Sequence, residues 1–330
     1  MASPSLPSAL APSRRSFALG RVGIAAVVLL STRTAAAQAT PSTPANGGPA
    51  WAAVQQALGG RGTMQPGDVL KFGFPRTDLQ VTADGVALKP ALALGSWIAF
   101  RRVGTGARAD AMAMGDLVLT EDEVGPVMLA LQEGGVDQTA LHNHLLHESP
   151  RVMYMHVVAH GDAAKIAATV GVALAASKTP LPTGAAPATA TPATAALDLD
   201  TAAIAHALGA HGKVNGGVYQ VSVPRRERVT DHGIEIPPAM GVATAINFQP
   251  TGGGKAAVTG DFVMIASEVN PVLRALREHD IDVTALHSHM LTESPRLFFM
   301  HFWANDDATT LARGLRAALD RMAVQHLATK

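Results

Sequence analysis

The sequence predicts an α+β chain of two tandem homologous domains, each a mainly antiparallel sheet with flanking helices. Three observations predict it. The stretch Thr139–Arg151 recurs as Thr284–Arg296 at a spacing of 145 residues, far longer than a solenoid repeat. Within each copy, short apolar runs broken by Gly and Pro mix with helix-period segments, without regular strand–helix–strand alternation. Between the copies lies an Ala/Pro/Thr stretch with no apolar period, which reads as an extended linker.

Length and composition agree with this plan. A chain of 330 residues has room for two cores of about 150 residues each. The balance of 26 basic against 26 acidic side chains lacks the basic excess of a nucleic-acid binder. Cysteine is absent, which excludes disulfides, Cys-ligated zinc, iron–sulfur clusters, thiol catalysis and an acylated Cys anchor.

In chain order, residues 1–39 read as a twin-arginine signal peptide. Ser13-Arg14-Arg15-Ser16-Phe17 precedes an apolar run from Val22 to Leu30, too short to span a bilayer, and Ala35-Ala36-Ala37 supplies a small-x-small cleavage site. Cleavage there removes four arginines and no acid, leaving 22 basic against 26 acidic residues in an exported, mildly acidic protein. The expected localisation is periplasmic or secreted, with no stable membrane anchor after cleavage.

The first repeat domain is expected over 50–176, the linker over 177–196 and the second domain over 197–330. Each domain opens with a short helix (Trp51–Leu58; Ala202–Leu208). In the first copy, strands follow at Val69–Phe74, Val81–Leu88, Trp97–Arg102 and Leu117–Thr120. Pro126 and Pro271, behind Gly125 and Asn270, suit the first position of a helix running to Glu133 or Glu278. Two further strands, Thr139–Leu146 and Arg151–Ala159, lead to a last helix with Asp162, or Asp307 in the second copy, at its N-cap. Asp116 and Asp261, each after a Gly, read mainly as turn residues, with a supporting hydrogen bond to a metal-ligating His as the lesser reading.

The chemistry concentrates in the histidines. Eight of the 13 fall within 142–160 and 287–301, far above an even spread. On a strand, His142 and His144 point to one face, Glu148 keeps their parity, and His156 returns on the next strand. His287, His289, Glu293 and His301 repeat the pattern. Three imidazoles and a carboxylate suit a divalent transition metal (Zn, Mn, Fe, Ni or Cu), with one such set expected per repeat. His147 and His160 lack histidine counterparts and read as peripheral. Arg151 and Arg296, directly after the Pro, either clamp an anionic substrate or hold Glu148 and Glu293; Arg76 and Arg225 are similar candidates. The HxHxxxE spacing also resembles the first metal motif of cupins, whose all-β barrel does not suit the helical patterns flanking it here.

The run from Ala140-Leu141-His142-Asn143-His144 through Arg151 and His156, its copy from Leu286 through His301, and Ala304-Asn305-Asp306-Asp307 resemble the LppY/LpqO family of exported bacterial proteins. The resemblance covers nearly all the chain beyond residue 39. It implies envelope localisation and supports the domain limits, but supplies no activity. Three functional expectations therefore stand: a periplasmic metal-binding protein; a metal-dependent hydrolase or oxidoreductase using a metal-bound water, with Glu148, Glu293, Arg151 or Arg296 as catalytic candidates; and a non-metal cell-envelope interaction module. The expected partner is a small molecule or an envelope component, not nucleic acid.

Overall fold

The computed structural model describes residues 51–60, 62–104, 110–181 and 197–325. The expected signal peptide (1–39) and most of the expected linker (182–196) lie outside them.

The first repeat runs α1 (Ala52–Ala57), β1 (Thr63–Gln65), β2 (Val69–Pro75), β3 (Thr82–Ala83), β4 (Val86–Ala87), α2 (Pro90–Ala93), β5 (Gly95–Arg102) and β6 (Asp110–Thr120). It continues with α3 (Glu121–Glu133), β7 (Asp137–His142), β8 (Glu148–Ser149), β9 (Val152–Asp162) and α4 (Ala163–Ala175). The second repeat opens with α5 (Thr201–Leu208), β10 (Gly212–Asn215), β11 (Val218–Pro224), β12 (Thr230–Asp231) and β13 (Ile234–Glu235). A single 3-10 turn (Pro238–Met240) takes the place of α2. The repeat then closes with β14 (Ala243–Gly252), β15 (Lys255–Met264), α6 (Ala266–Arg277), β16 (Asp282–His287), β17 (Glu293–Ser294), β18 (Phe298–Asp307) and α7 (Ala308–Leu319).

Each repeat forms an antiparallel six-stranded sheet, in the orders β1-β2-β5-β6-β9-β7 and β10-β11-β14-β15-β18-β16. A small three-stranded sheet accompanies each, β4-β3-β8 and β13-β12-β17. The expected α+β architecture of two similar domains is present. Both repeats belong to one compact unit.

The burial of β6 shows how they pack. Nine successive residues, Ala111–Leu119, are buried, whereas a sheet with one wet face would alternate. Ala111, Ala113, Leu117 and Leu119 join a core with Val54, Val127, Ile166 and Val170 from α1, α3 and α4. The intervening Met112 and Met114 join Val242, Val263, Met290 and Phe299 of the other repeat. A second shared core brings Val118, Val152 and Tyr154 against Val218, Ala257 and Trp303. Helices thus cover the outer face of each sheet, and the inner faces of the two sheets cover each other. Side chains cross this interface: Asn247 Nδ2 donates to the Leu92 carbonyl at 3.0 Å and Gln249 Nε2 to that of Ala87 at 2.8 Å.

Several local expectations change. The strand expected over Val81–Leu88 is a hairpin of β3 and β4, and the one expected over Thr139–Leu146 ends at His142. The helices do not begin at Pro126 and Pro271. The Glu123 carboxylate accepts the Thr120 N–H at 2.9 Å and Glu268 accepts that of Ile265 at 2.9 Å, so capping starts each helix one and a half turns earlier and leaves the Pro inside. Residues 177–179 stay docked on the first repeat: the Lys178 N–H donates to Glu123 at 2.7 Å, and Thr179 is buried. Asp162 and Asp307 do cap α4 and α7, accepting from Lys165 N at 3.0 Å and Thr310 N at 2.7 Å.

Candidate metal centre

The strand period sets which side chains meet at the interface. On β9, Met155 and Val157 face the helices, so Tyr154, His156 and Val158 face inward. On β6 the inward set continues from Met112 and Met114 to Asp116, which lies directly opposite His156 in the pairing. A register shift between Gln138 and Ala140 brings His142 opposite Tyr154 and onto the same face. His144 lies beyond the end of β7, against the Tyr154 ring. The second repeat repeats the figure: Asp261 opposes His301, and a shift between Val283 and Ala285 sets His287 opposite Phe299.

The two triads lie against each other. His142 and His287 meet at the centre with ring centroids 3.6 Å apart, His144 stacks on His301 at 3.8 Å, and His156 on His289 at 3.7 Å. Reciprocal bonds anchor the loops: Thr139 Oγ1 donates to the His289 carbonyl at 2.5 Å and Thr284 Oγ1 to that of His144 at 2.5 Å. Ligating atoms lie within 4.8 Å of one another in four groups: Asp116/His144/His156, Asp261/His287/His289/His301, His142/His144/His301 and His142/His156/His287. The first two share no residue; the last two each draw on both repeats.

The hydrogen bonds set the tautomers. His301 Nδ1–H donates to the Gly260 carbonyl at 2.7 Å, which leaves Nε2 a bare lone pair with no partner. The backbone of Gly115 interacts with the His156 ring in the same position of the first repeat. His142 Nδ1–H donates to the Asn143 carbonyl at 3.1 Å. The Nε2 atoms of His142 and His156 face each other at 2.9 Å; with both rings neutral and protonated at Nδ1, two lone pairs meet there. Two imidazoles on one ion, at metal–nitrogen distances of about 2.0–2.1 Å and angles of 90–110°, bring their nitrogens about 2.9–3.4 Å apart.

Other polar atoms here are equally short of partners. Nε2 of His144 and His289, both ring nitrogens of His287, and one oxygen each of Asp116 and Asp261 are buried without a hydrogen bond. His289 Nε2 lies 3.1 Å from Asp261 Oδ2, close enough for an ion pair but not aligned for a hydrogen bond. Burial holds all six imidazoles below their ordinary range and so favours the neutral form, the one that ligates. Burial, reinforced by Asp261, pushes Asp116 up to about 8; burial raises Asp261 to about 6. Buried neutral imidazoles beside uncompensated carboxyls fit a divalent cation, which supplies the missing positive charge and takes up the lone pairs.

Glu148 and Glu293 are not grouped with the histidines. Each carboxylate accepts a backbone N–H four residues on, from Val152 at 3.2 Å and Leu297 at 2.8 Å, and so braces its own Pro turn. Arg296 Nη1 pairs with Glu293 at 3.2 Å, whereas Arg151 is exposed. Arg76 and Arg225 are buried beneath the helix starts, bonded to Glu123 at 2.7 Å and Glu268 at 2.5 Å. His160 reaches across the repeats to Asp231 at 3.0 Å, and His147 meets Asp84 on the surface at 3.2 Å. The acids at the centre are Asp116 and Asp261, in mid-strand and not in turns. Their visible signal is a Gly-Asp pair recurring in mid-strand at the 145-residue spacing of the histidines.

A cavity of about 880 Å³ opens onto the centre, lined by Asp116, Asp261, His144 and His301 together with Lys71 and Trp97, the latter paired opposite Asp116. Burial, with Lys213 nearby, presses Lys71 down to about 8.

Fold and site define a two-repeat α+β protein whose halves share one histidine–aspartate centre. The chain belongs to the family described as Domain of Unknown Function (DUF1259), matched twice, over 52–176 and 202–321. No curated protein matches it. Among solved structures, a trimeric bacterial microcompartment shell protein, PduB, aligns at 12% identity over 78% of this chain and 87% of its own, with a TM-score of 0.21. EtuB from Clostridium kluyveri aligns at 9% identity over 78% and 89%, with a TM-score of 0.18. Scores this low carry no argument about fold or function.

Proposed function

We propose that this protein binds divalent transition metal at a single centre shared by its two repeats, with His142, His144, His156, His287, His289 and His301 as the nitrogen donors and Asp116 and Asp261 as the oxygen donors. The observation that carries this reading is the pair of Nε2 atoms of His142 and His156, 2.9 Å apart, with the His142 Nδ1 committed to the Asn143 carbonyl. Two neutral rings that both carry their proton on Nδ1 have none to place between those nitrogens, and a shared cation makes the contact favourable. The disjoint groups Asp116/His144/His156 and Asp261/His287/His289/His301 give room for two ions per chain. Glu148 and Glu293 serve as braces for the loops that carry His144 and His289.

The reading extends to place. The Arg14-Arg15 motif supports twin-arginine export, the LppY/LpqO resemblance supports an envelope setting, and no described helix is long and apolar enough to cross a membrane. The test is elemental analysis of protein purified without a histidine tag, with His144→Ala and His289→Ala singly and together. The expected result is one to two transition-metal ions per chain, lost in the double variant while the fold persists. A folded parent without metal affinity overturns the reading.

A further inference from the structure

The centre is duplicated and the cavity beside it is not. Every donor has its counterpart: His142 and His287, His144 and His289, His156 and His301, Asp116 and Asp261. The wall breaks this symmetry. Lys71, in β2 five residues before Arg76, corresponds to Gln220, five before Arg225. Trp97, paired opposite Asp116, corresponds to Ala245, paired opposite Asp261. A lysine faces the cavity from each repeat, Lys71 and, paired opposite Gln220, Lys213, but only the first repeat sets its lysine over an indole.

Lys71 is also short of a partner. Its Nζ lies 3.9 Å from the centroid of the Trp97 ring and donates one bond, at 3.3 Å, to the Ala239 carbonyl. Among the described residues no carboxylate lies within ion-pair distance of it, although it sits in the cavity wall. Lys213 lines the same cavity, and Asp116 and Asp261, both at the centre, are the acids on that wall. With a divalent cation at the centre, those acids are offset and the remaining charge facing the cavity is positive. The volume of about 880 Å³ falls within the range of small-molecule chambers, about 300–1,000 Å³.

We propose that this cavity is the binding chamber of a small organic anion, its charged end held between Lys71 and the metal centre and its body against Trp97. The proposal rests on the metal reading in one respect: the bound cation is what offsets Asp116 and Asp261.

The test is titration calorimetry of the full chain, zinc-loaded and metal-free, with benzoate, succinate and inorganic phosphate, and benzamide as the neutral control. At least one anion binds the zinc-loaded protein, while benzamide does not. Lys71→Gln, which installs the second repeat's own residue, weakens that binding at least tenfold with zinc content unchanged, and Lys71→Arg retains it. Lys71→Met replaces the Gln variant if that fails to fold. Zinc uptake with no anion binding, or binding indifferent to Lys71, overturns the proposal and leaves the metal reading intact. Lys71-dependent anion binding by a protein that takes up no metal leaves the chamber standing and removes the metal reading.

Discussion

Gly115 and Gly260 sit in mid-strand, each one residue before an aspartate of the centre, and replacing Gly115 by Ala is a direct test of how the site is held. A Cβ at Gly115 would lie 2.6 Å from the Trp97 carbonyl oxygen, 2.8 Å from Ile98 Cδ1 and 3.2 Å from Val157 Cγ2. The Ile98 methyl can rotate away, but the carbonyl is backbone. Ordinary carbon–oxygen contact begins at about 3.3 Å, so β5 must withdraw from β6 by roughly 0.7 Å. Overpacking of this kind costs about 1–3 kcal/mol. The displacement also reaches the centre, because the Gly115 backbone interacts with the His156 ring and Trp97 pairs opposite Asp116. Disturbing such outer partners of a metal site weakens affinity about 10- to 100-fold. Urea unfolding of the metal-free variant, and competition against a chromophoric chelator, measure the two effects. Gly125→Ala is the control: it lies in α3 with nothing near its added methyl, and stabilises by about 0.5–1 kcal/mol. A Gly115→Ala protein with parental metal affinity would refute the argument that this glycine sets the spacing of the site.

Three further outcomes follow from the same coordinates. Glu123→Ala removes the buried one of the two carboxylates on Arg76, leaving Asp78 at 2.8 Å, and strips the N–H groups of Thr120 and Lys178 of their acceptor; it should cost about 1–3 kcal/mol in urea unfolding. Burial alone would raise the Glu123 and Glu268 carboxyls, but Arg76, Arg225 and the backbone donors hold both below 4.5, so their contribution is complete above that pH and is lost as pH falls through the folded-state values. Glu123→Gln should accordingly flatten the acid limb of stability against pH by about one proton. Because His301 belongs both to the Asp261 group and to one with His142 and His144, His301→Ala should reduce metal content by more than the second repeat's share, whereas independent sites would leave the first repeat's metal in place.

Much of the fold was legible because it rests on local chemistry. The 145-residue spacing, the Gly and Pro breaks and the capping aspartates Asp162 and Asp307 all act within a few residues of themselves. Helix starts at Pro126 and Pro271 were misread because Pro signals a helix's first turn only when no better cap precedes it, and Glu123 and Glu268 provide one. The site was legible as a set of histidines and not as a place. Spacing shows that two repeats are equivalent; it does not show that their inner faces dock. The clue was physical: Ala111–Leu119 is apolar on both sides of the strand, so helices on one face could not cover it, and a second apolar sheet was required. Glu148 was grouped with the histidines on parity, but the strand ends at His142 and the carboxylate turns to the Val152 N–H instead. Asp116 was read as a turn because Gly precedes it, whereas that Gly admits the neighbouring strand's carbonyl.

The reciprocal bonds from Thr139 to the His289 carbonyl and from Thr284 to the His144 carbonyl describe an isologous contact, the kind that joins identical subunits about a two-fold axis. Here one polypeptide supplies both partners. Assembly of the centre is therefore a first-order event, insensitive to dilution, where a pair of single-repeat chains would lose it as protein concentration fell. Fusion has a second effect. A true two-fold would impose every substitution twice, so no dimer of identical chains could carry Lys71 on one wall and Gln220 on the other.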